Sequence, residues 1–408
     1  QIPKGWELRR AKTLFTQRNS KGNGIEVLLS PTQKYGVVPQ SQLEGVVQVK
    51  EDTDLQMFKT VHKGDFVISL RSFQGGFEYS LYEGVCSPAY QVFYPTSPIC
   101  DTYYRYLFKS QSFISKMNNL TVGIREGKNI QYVDFANSQI PVPPLAEQER
   151  IAAFLDAECA EIDAVLEKTR ASIEEYKKLK QAIITQAVTK GIRGDRPMKD
   201  SGIEWIGDIP AEWNKDKVIR VFSVIGSGTT PKSSDENLFD GNTPWIQSGD
   251  INGENLFVTK NCVSNSAIES YSALRVYQAP YLVVAMYGAS VGNLSLSMID
   301  ACVNQACCVL KKPTINLKFA FYIFKAVKDY LARKAVGGGQ PNISQETIKQ
   351  LWLTIPSADE QIEISNYLDE KCRSVDALIA KKQQYLTEIE NYKKSLIYEY
   401  VTGKKEVV

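Results

Sequence analysis

The side chains that could do chemistry in this chain are polar ones in loops between apolar runs, several of them beside glycines. Lysine, arginine and hydroxyl groups bind phosphates, arginine, lysine, asparagine and glutamine read base edges, and glycine permits close backbone approach. The first half of the chain offers Lys34, Tyr35, Arg71, Ser72, Gln74, Arg125 and Lys128. The second half offers Thr229, Thr230, Lys232, Gln247, Tyr287, Arg333, Lys334 and Gln340. Each one alone is more often a solvated surface residue, but as two sets they favour a nucleic-acid contact.

The patterns of the common enzyme classes are incomplete. Gly226-Ser227-Gly228 is not followed by Gly-Lys-Ser/Thr, so a phosphate-binding P-loop fails. Residues 242–245 are similar to the Asn-Pro-Pro-aromatic loop of adenine methyltransferases, but the second-position proline is missing and no glycine-rich cofactor loop precedes them. The single histidine, His62, makes a histidine-based triad or metal site improbable. We therefore expect no catalytic residues and no metal ligands, and we interpret the chain as one that binds.

Composition sets the outer limits. With 408 residues and 43% hydrophobic residues, the chain is long enough for two to three domains with real cores. No apolar run reaches the length of a membrane span, so we expect no membrane partner. The eight cysteines show no C-x-x-C spacing, which predicts reduced thiols in a cytoplasmic protein. The net charge of +2 says little about partners.

Two stretches predict long helices that must position the loops. Neither contains proline or glycine, and their apolar residues return with alternating four- and three-residue spacing, the a/d pattern of a coiled coil. The predicted pairing seam of the first helix is Leu155, Ile162, Leu166, Ile173, Tyr176 and Ile183, together with Cys159 and Ala187. The seam of the second is Leu368, Val375, Ile379, Leu386, Ile389 and Leu396, together with Cys372 and Tyr400. Because an apolar stripe must be covered, we expect each helix to pair with the other.

The two helices belong to a larger duplication. Each opens with the same phrase, Pro143 before Glu147-Gln148 and Pro356 before Glu360-Gln361. Upstream of each helix, Ile-Pro followed by tryptophan occurs at residues 2–6 and again at 209–213, and short β-rich runs include 85–93 and 302–310. This indicates that one module of strands and helices is duplicated in the chain. Because residues 201–208 lead into the second module only, we expect a similar segment before Gln1.

Connectivity predicts how the helices run. Each is about 44 residues, and therefore about 65 Å long at about 1.5 Å per residue. A domain of about 150 residues has a radius of gyration near 15 Å, so it bridges that length poorly. An antiparallel pair needs no bridge, and it predicts the two globular modules at opposite ends of a rod, related by a pseudo-twofold axis.

These features together resemble the specificity (S) subunits of type I restriction–modification systems. The resemblance covers essentially the whole chain. It is carried by the openings of the two long helices, by residues 198–207 with Pro210 and Trp213, and by residues 226–231, 244–250 and 286–292. The first module departs from the pattern, because residues 70–76 stand where the second has its Tyr-Gly-Ala-Ser loop.

The resemblance implies an α+β fold with two pseudo-repeated target recognition domains, separated by two long antiparallel coiled-coil helices. On this interpretation the domains are residues 1–141 and 209–354, the spacer helices are 142–190 and 355–403, and 191–208 is a linker. The implied function is sequence-specific reading of a bipartite double-stranded DNA site with an unspecified gap. The implied partners are two methyltransferase (M) subunits and restriction (R) subunits. No cofactor is expected on this chain, and S-adenosylmethionine is expected on the methyltransferase. The alternatives are a DNA-modifying enzyme with its own catalytic site and a purely structural coiled-coil protein.

Overall fold

Each half of the chain combines a mixed sheet region with segments of two long helices. The computed structural model describes residues 2–22, 27–43, 55–69, 76–120, 130–336 and 341–407. These divide into two compact units. Unit 1 comprises Gln1–Arg170 and Gln383–Val408, and unit 2 comprises Ala171–Lys382.

Unit 1 contains ten strands and three short helices within its described residues, and it shares the long helices α4 and α9. The strands are β1 (Glu7–Arg10), β2 (Phe15–Arg18), β3 (Leu29–Thr32), β4 (Gly36–Pro39), β5 (Lys59–Val61), β6 (Phe66–Ile68), β7 (Phe77–Tyr79), β8 (Gly84–Cys86), β9 (Gln91–Pro95) and β10 (Gln139–Val142). The helices are α1 (Asp101–Lys109), α2 (Gln111–Leu120), α3 (Tyr132–Asn137) and α4 (Leu145–Lys190). The largest sheet has the order β2-β9-β6-β7, and all its pairs are antiparallel.

An aromatic core fixes this sheet against its helices. Phe15, Phe66 and Phe93 from the sheet are fully buried together with Phe108 of α1 and Phe135 of α3. The Phe66 and Phe93 rings stack with centroids 5.4 Å apart, and Phe15 meets both edge-on. Such rings bury large apolar areas in preferred geometries, so this cluster holds the sheet at a defined angle to α1 and α3.

Unit 2 contains twelve strands within its described residues, again sharing α4 and α9. The strands are β11 (Met198–Asp200), β12 (Asp208–Pro210), β13 (Asn214–Lys217), β14 (Phe222–Gly226), β15 (Thr243–Ile246), β16 (Asn255–Leu256), β17 (Asn261–Val263), β18 (Tyr281–Ala285), β19 (Leu294–Ser297), β20 (Cys302–Val303), β21 (Cys307–Pro313) and β22 (Trp352–Ile355). The helices are α5 (Val218–Val221), α6 (Asn265–Ser270), α7 (Leu317–Lys334), α8 (Gln345–Lys349) and α9 (Ala358–Val401).

The main sheet of unit 2 repeats the strand order of unit 1. Its order is β14-β21-β18-β19-β16, and a second sheet has the order β17-β15-β20. Successive side chains of a strand point to opposite faces, and β18 shows why all its residues are apolar. Leu282 and Val284 enter the core that includes α7, whereas Tyr281, Val283 and Ala285 enter a separate core on the other face. The predicted duplication is therefore present in the fold itself.

The long helices run antiparallel in both units. In unit 1, Asp163 and Arg170 of α4 pair with Lys393 and Glu390 of α9, each at 2.6 Å. In unit 2, Lys180 pairs with Asp376 at 2.6 Å. In unit 1 the partner numbers fall along α9 as they rise along α4, and that is the antiparallel direction predicted from connectivity. Lys180 and Lys393 thus make cross-helix ion pairs along the pairing seam.

The seam positions are all withdrawn from solvent. Leu155, Cys159, Ile162, Leu166, Ile173, Ala187, Leu368, Cys372, Val375 and Leu396 are buried. Half-buried positions are Tyr176, Ile183, Ile379, Leu386, Ile389 and Tyr400. The half-buried Lys382 of α9 places its ammonium 5.6 Å from the centroid of the Tyr176 ring. The half-buried central part of the helix pair is thus covered partly by lysine side chains rather than by apolar residues alone.

The repeated opening of the long helices has a structural role. The buried Gln148 donates from Nε2 to the Pro143 carbonyl at 2.8 Å and accepts the Cys100 amide at 2.9 Å, ahead of α1. In unit 2, Gln361 makes the same two contacts, to the Pro356 carbonyl at 2.9 Å and to the Asn316 amide at 2.7 Å, ahead of α7. One glutamine thus joins the start of each long helix to the start of the helix that packs on the sheet.

Candidate nucleic-acid interface

The carboxyl ends of four unit 2 strands meet around one turn, Asn304–Gln305–Ala306. The Asn304 amide donates to the carbonyl of Ile246, the last residue of β15, at 2.9 Å. The Met286 amide, just after β18, donates to the Ala306 carbonyl at 2.8 Å. Ser227, just after β14, donates from Oγ to the Gln305 carbonyl at 3.3 Å. The turn itself follows β20, so the loops after β14, β15, β18 and β20 form one surface.

The loop after β14 brings Thr229, Thr230 and Lys232 to this surface. A Cβ on Gly228 would collide with the Val303 carbonyl oxygen, so only glycine lets this loop cross β20 so closely. Thr230 is exposed and donates from Oγ1 to Gln305 Oε1 at 2.5 Å, while Thr229 is half-buried. The backbone amide of the exposed Lys232 donates to the Tyr271 hydroxyl at 3.1 Å. Among the described residues, its ammonium makes no hydrogen bond or ion pair.

The loops after β15 and β18 bring Gln247 and Tyr287. The side-chain oxygen Oε1 of Gln247 accepts from Asn261 Nδ2 at 2.7 Å, and the backbone amide of Gln247 donates to Asp250 Oδ2 at 2.9 Å. Tyr287 is 45% exposed and precedes Gly288, whose positive φ of 71° suits glycine. The Gly288 amide donates to the Pro341 carbonyl at 2.8 Å, so the segment after α7 also reaches this surface.

Arg333 and Lys334 stand at the end of α7, at the margin of the same surface. Both are exposed, and the Lys334 ammonium lies 5.2 Å from the centroid of the Tyr330 ring. Two residues later, Val336 pairs with Asn342, which in turn pairs with Tyr287. The structure therefore connects them to the Tyr287 loop through the backbone, whereas Gln340 lies outside the described residues.

Two residues of this surface were missed by the sequence analysis. Within the β-rich run 302–310, residues 304–306 form a turn between β20 and β21 that carries Gln305. Two polar residues inside an apolar run were the available signal. The other is Arg275, which donates from Nε to the Tyr277 hydroxyl at 2.8 Å, while that hydroxyl donates to the Ser227 carbonyl at 2.9 Å. This chain of bonds holds an exposed guanidinium beside the loop after β14.

Unit 1 presents a smaller described part of its predicted set. Lys34 and Tyr35 form the exposed turn between β3 and β4, with the ammonium 4.8 Å from the ring centroid. The Tyr35 amide donates to Thr32 Oγ1 at 3.0 Å, which fixes the turn. The predicted residues Arg71, Ser72, Gln74, Arg125 and Lys128 lie outside the described residues.

Two buried or half-buried ion pairs stabilise the fold of unit 1. Arg18 makes two bonds, of 2.7 and 3.0 Å, to the buried Asp65. Lys109 pairs at 2.5 Å with Glu78, whose side chain is 1% exposed. Burial raises the pKa of Glu78 to about 7, although the neighbouring Lys109 ammonium opposes that rise. Side chains committed in this way do not present their charge to a ligand.

A comparison with protein families decides what kind of protein carries this surface. The model for the type I restriction modification DNA specificity domain matches residues 3–175 and again residues 210–391. The chain belongs to this specificity family. The first match contains β1 to β10 of unit 1, the second contains β13 to β22 of unit 2, and each extends into a long helix.

Similar chains carry the same description. The specificity subunit assigned to the type I restriction enzyme MjaX of Methanocaldococcus jannaschii is 23% identical over 431 residues, which cover 100% of this chain and 95% of that one. The MjaVIII specificity subunit of the same organism is 25% identical over 296 residues, 69% of this chain and 66% of the relative.

Solved structures confirm the fold class. A chain from a study of complex assembly and conformational transition of the type I R-M system superposes with a TM-score of 0.75 at 17% identity, covering 99% of this chain and 100% of that one. The HsdS subunit of Thermoanaerobacter tengcongensis superposes with a TM-score of 0.53 at 16% identity, covering 99% and 98%. The predicted α+β architecture with two recognition domains and long antiparallel helices is thereby confirmed.

As a specificity subunit, the chain is a DNA-recognition component rather than a catalytic one. Its cysteines are free, and burial raises the thiol pKa of Cys86 to about 12 and that of Cys302 to about 11, which keeps these two thiols neutral. Among the described residues, no group of three or more histidine, cysteine, aspartate and glutamate side chains could hold a metal ion. Within the same residues no helix is both long and apolar enough to cross a bilayer.

Proposed function

We propose that this specificity subunit reads a bipartite DNA site, with unit 1 recognising one half-site and unit 2 the other. The observation that carries the proposal is the repeated strand order, β2-β9-β6-β7 and β14-β21-β18-β19, in a chain of a DNA-specificity family. Two copies of one recognition fold with different loops suit two different short half-site sequences, each called a word below. The unspecified gap between the words corresponds to the length of the long helices.

Unit 2 supplies the chemistry for one word. Arg275 and Lys232 offer a guanidinium and an ammonium beside the loop after β14, and such cations bind phosphates. Gln247 and Gln305 offer side-chain amides, the groups that read base edges. Unit 1 would use Lys34 and Tyr35 together with its remaining predicted residues.

The proposal includes partners that perform the chemistry. Methyltransferase subunits would carry S-adenosylmethionine and methylate adenine, restriction subunits would complete the nuclease, and this chain would bind no cofactor. The cytoplasm is the compartment where such a complex meets DNA. The methyltransferase subunits would dock on the long helices. Exposed apolar residues support this, since Leu179 of α4 is 48% exposed and Leu378 of α9 is 43% exposed.

The docking part has its own test. Leu179→Ser and Leu378→Ser remove apolar contact area without touching the buried seam, so the melting temperature should stay while co-purification of the methyltransferase subunit weakens. Lys178→Ser, at an exposed neighbouring position, is the matched control. Full retention of the partner by both leucine variants would place the docking surface elsewhere.

The reading part is tested by methylome sequencing. Cells that express the chain with its methyltransferase subunit should show methylated adenine in two short words separated by a fixed gap. Arg275→Ala should weaken methylation at sites containing the word that unit 2 reads, whereas Lys177→Ala, an exposed cation on α4, should leave it unchanged. A single continuous site would contradict the assignment of one word to each unit.

A further inference from the structure

Gln305 is the one exposed side chain of a turn whose backbone is held on both sides. Asn304 and Ala306 are 9% and 7% exposed. The Asn304 amide is bonded to Ile246, the Ala306 carbonyl accepts from Met286, and the Ala306 amide donates to Asn304 Oδ1 at 3.1 Å. The Cα of Gln305 is therefore fixed by β15 and by the residue after β18, at the centre of the surface formed by the four loops.

Its side-chain amide is oriented as well. Thr230 Oγ1 donates to Gln305 Oε1 at 2.5 Å, and this bond holds the side-chain amide in one orientation. A carbonyl oxygen accepts two hydrogen bonds, so Oε1 keeps one acceptor position. Within the described residues, Nε2 has no hydrogen-bond partner. An acceptor and a donor thus stand side by side on an exposed, pre-oriented amide.

We propose that Gln305 reads an adenine in the major groove and that Thr230 is its positioning residue. Adenine presents there an N6 amino donor beside an N7 acceptor, and a glutamine amide meets both at once. Nε2 would donate to N7, while N6 would donate to the acceptor position of Oε1 that Thr230 leaves free. Guanine presents two acceptors at this edge and so cannot satisfy Oε1. This inference rests on the proposed function and names a base within the half-site of unit 2.

The corresponding turn of unit 1 carries no such amide. The turn between β8 and β9 holds Ser87, Pro88, Ala89 and Tyr90, and none of them has a side-chain amide. A change at Gln305 should therefore alter a single position of a single half-site and leave the other half-site as it is.

The experiment uses the chain co-expressed with its methyltransferase subunit, and the readout is methylome sequencing of four variants. Gln305→Ala should relax one A·T position of one half-site, lowering the preference for adenine there by about 5- to 150-fold. Gln305→Glu keeps an acceptor for Thr230 but cannot donate to N7, and it should shift the same position toward cytosine, whose N4 amino group donates to a carboxylate. Thr230→Val preserves shape and removes the hydroxyl, so it should relax the same position to a smaller extent.

Gln350→Ala is the matched control, because Gln350 is an exposed glutamine of unit 2 whose side chain bonds Lys217 and Glu346, on the side where β14 begins, whereas the candidate surface lies where β14 ends. An unchanged preference at every position in Gln305→Ala and Gln305→Glu, with the wild-type bipartite site intact, would overturn the role of Gln305. A wild-type complex without a bipartite site would overturn the proposed function instead.

Discussion

Replacing Leu166 by aspartate should break the helix pair of unit 1. Leu166 is 5% exposed and belongs to the same core cluster as Ile162 of α4 and Leu396 of α9, with the half-buried Leu386 and Ile389 packed against it. A carboxylate at this position has no buried cation to pair with among these neighbours, so folding would have to desolvate it or move the helices apart.

The magnitude follows from the burial of the site. Leu166→Ala should cost about 2–3 kcal/mol, the lower part of the range for buried leucine, because the half-buried neighbours can partly close the gap. Leu166→Asp adds the desolvation of a charge and should cost about 4 kcal/mol or more. At about 2–4 °C per kcal/mol for a unit of this size, the alanine variant should lower the melting temperature by about 4–12 °C.

The assay is thermal unfolding of the purified chain followed by circular dichroism or calorimetry. Val165→Asp is the matched control, because Val165 is the adjacent residue and is 39% exposed. It should change the free energy of unfolding by less than about 1 kcal/mol. Equal effects of aspartate at positions 165 and 166 would refute the assignment of Leu166 to the interhelical core.

Three further predictions concern chemistry, a buried ion pair and pH. The purified chain alone should neither transfer methyl groups nor cleave DNA, and labelled methyl incorporation without partners would contradict this. Glu360, 2% exposed, accepts from Arg196 at 2.7 Å and from Trp213 Nε1 at 2.9 Å. Glu360→Ala should therefore lower the free energy of unfolding in urea by about 3–5 kcal/mol. Glu212→Ala, which removes the exposed partner of Arg196 at 3.0 Å, should lower it by less than about 1 kcal/mol. Equal losses in the two variants would contradict the stabilising role of the buried Glu360. Because burial raises the pKa of Glu78 from 4.5 to about 7, the folded chain retains this proton longer than the unfolded chain, and stability should fall as pH rises from about 4.5 to about 7. Glu78→Gln should flatten that slope, and an unchanged slope would show that Glu78 does not titrate as described.

Features that depend on local periodicity could be predicted from the sequence. The a/d spacing predicted both long helices, and α4 and α9 are observed at Leu145–Lys190 and Ala358–Val401. The repeated Glu-Gln phrase predicted equivalent helix starts, and Gln148 and Gln361 make matching bonds there. Such features can be predicted because the residues of a helix seam recur in consecutive turns of one continuous segment.

Features that depend on distant strands could not be predicted in this way. The run 302–310 has the composition of one strand, yet β20 and β21 belong to different sheets and the turn between them carries Gln305. Likewise, the helical stretch after β9 is divided at Ser110 into α1 and α2. Arg275 was missed because its position depends on the Tyr277 hydroxyl and the Ser227 carbonyl, about 50 residues away in sequence, a contact that no local pattern encodes.

The most direct test of the two-unit account is to lengthen both helices by one heptad, after Arg170 and after Gln383. Seven residues preserve the a/d register, and each insertion adds about 10 Å of helix. Methylome sequencing with the partner subunit should show the same two words with a gap longer by about three base pairs, given about 3.4 Å per pair. That step also rotates the duplex by about 100°, so the helices or the DNA must twist to compensate. Altered words with an unchanged gap would contradict the account.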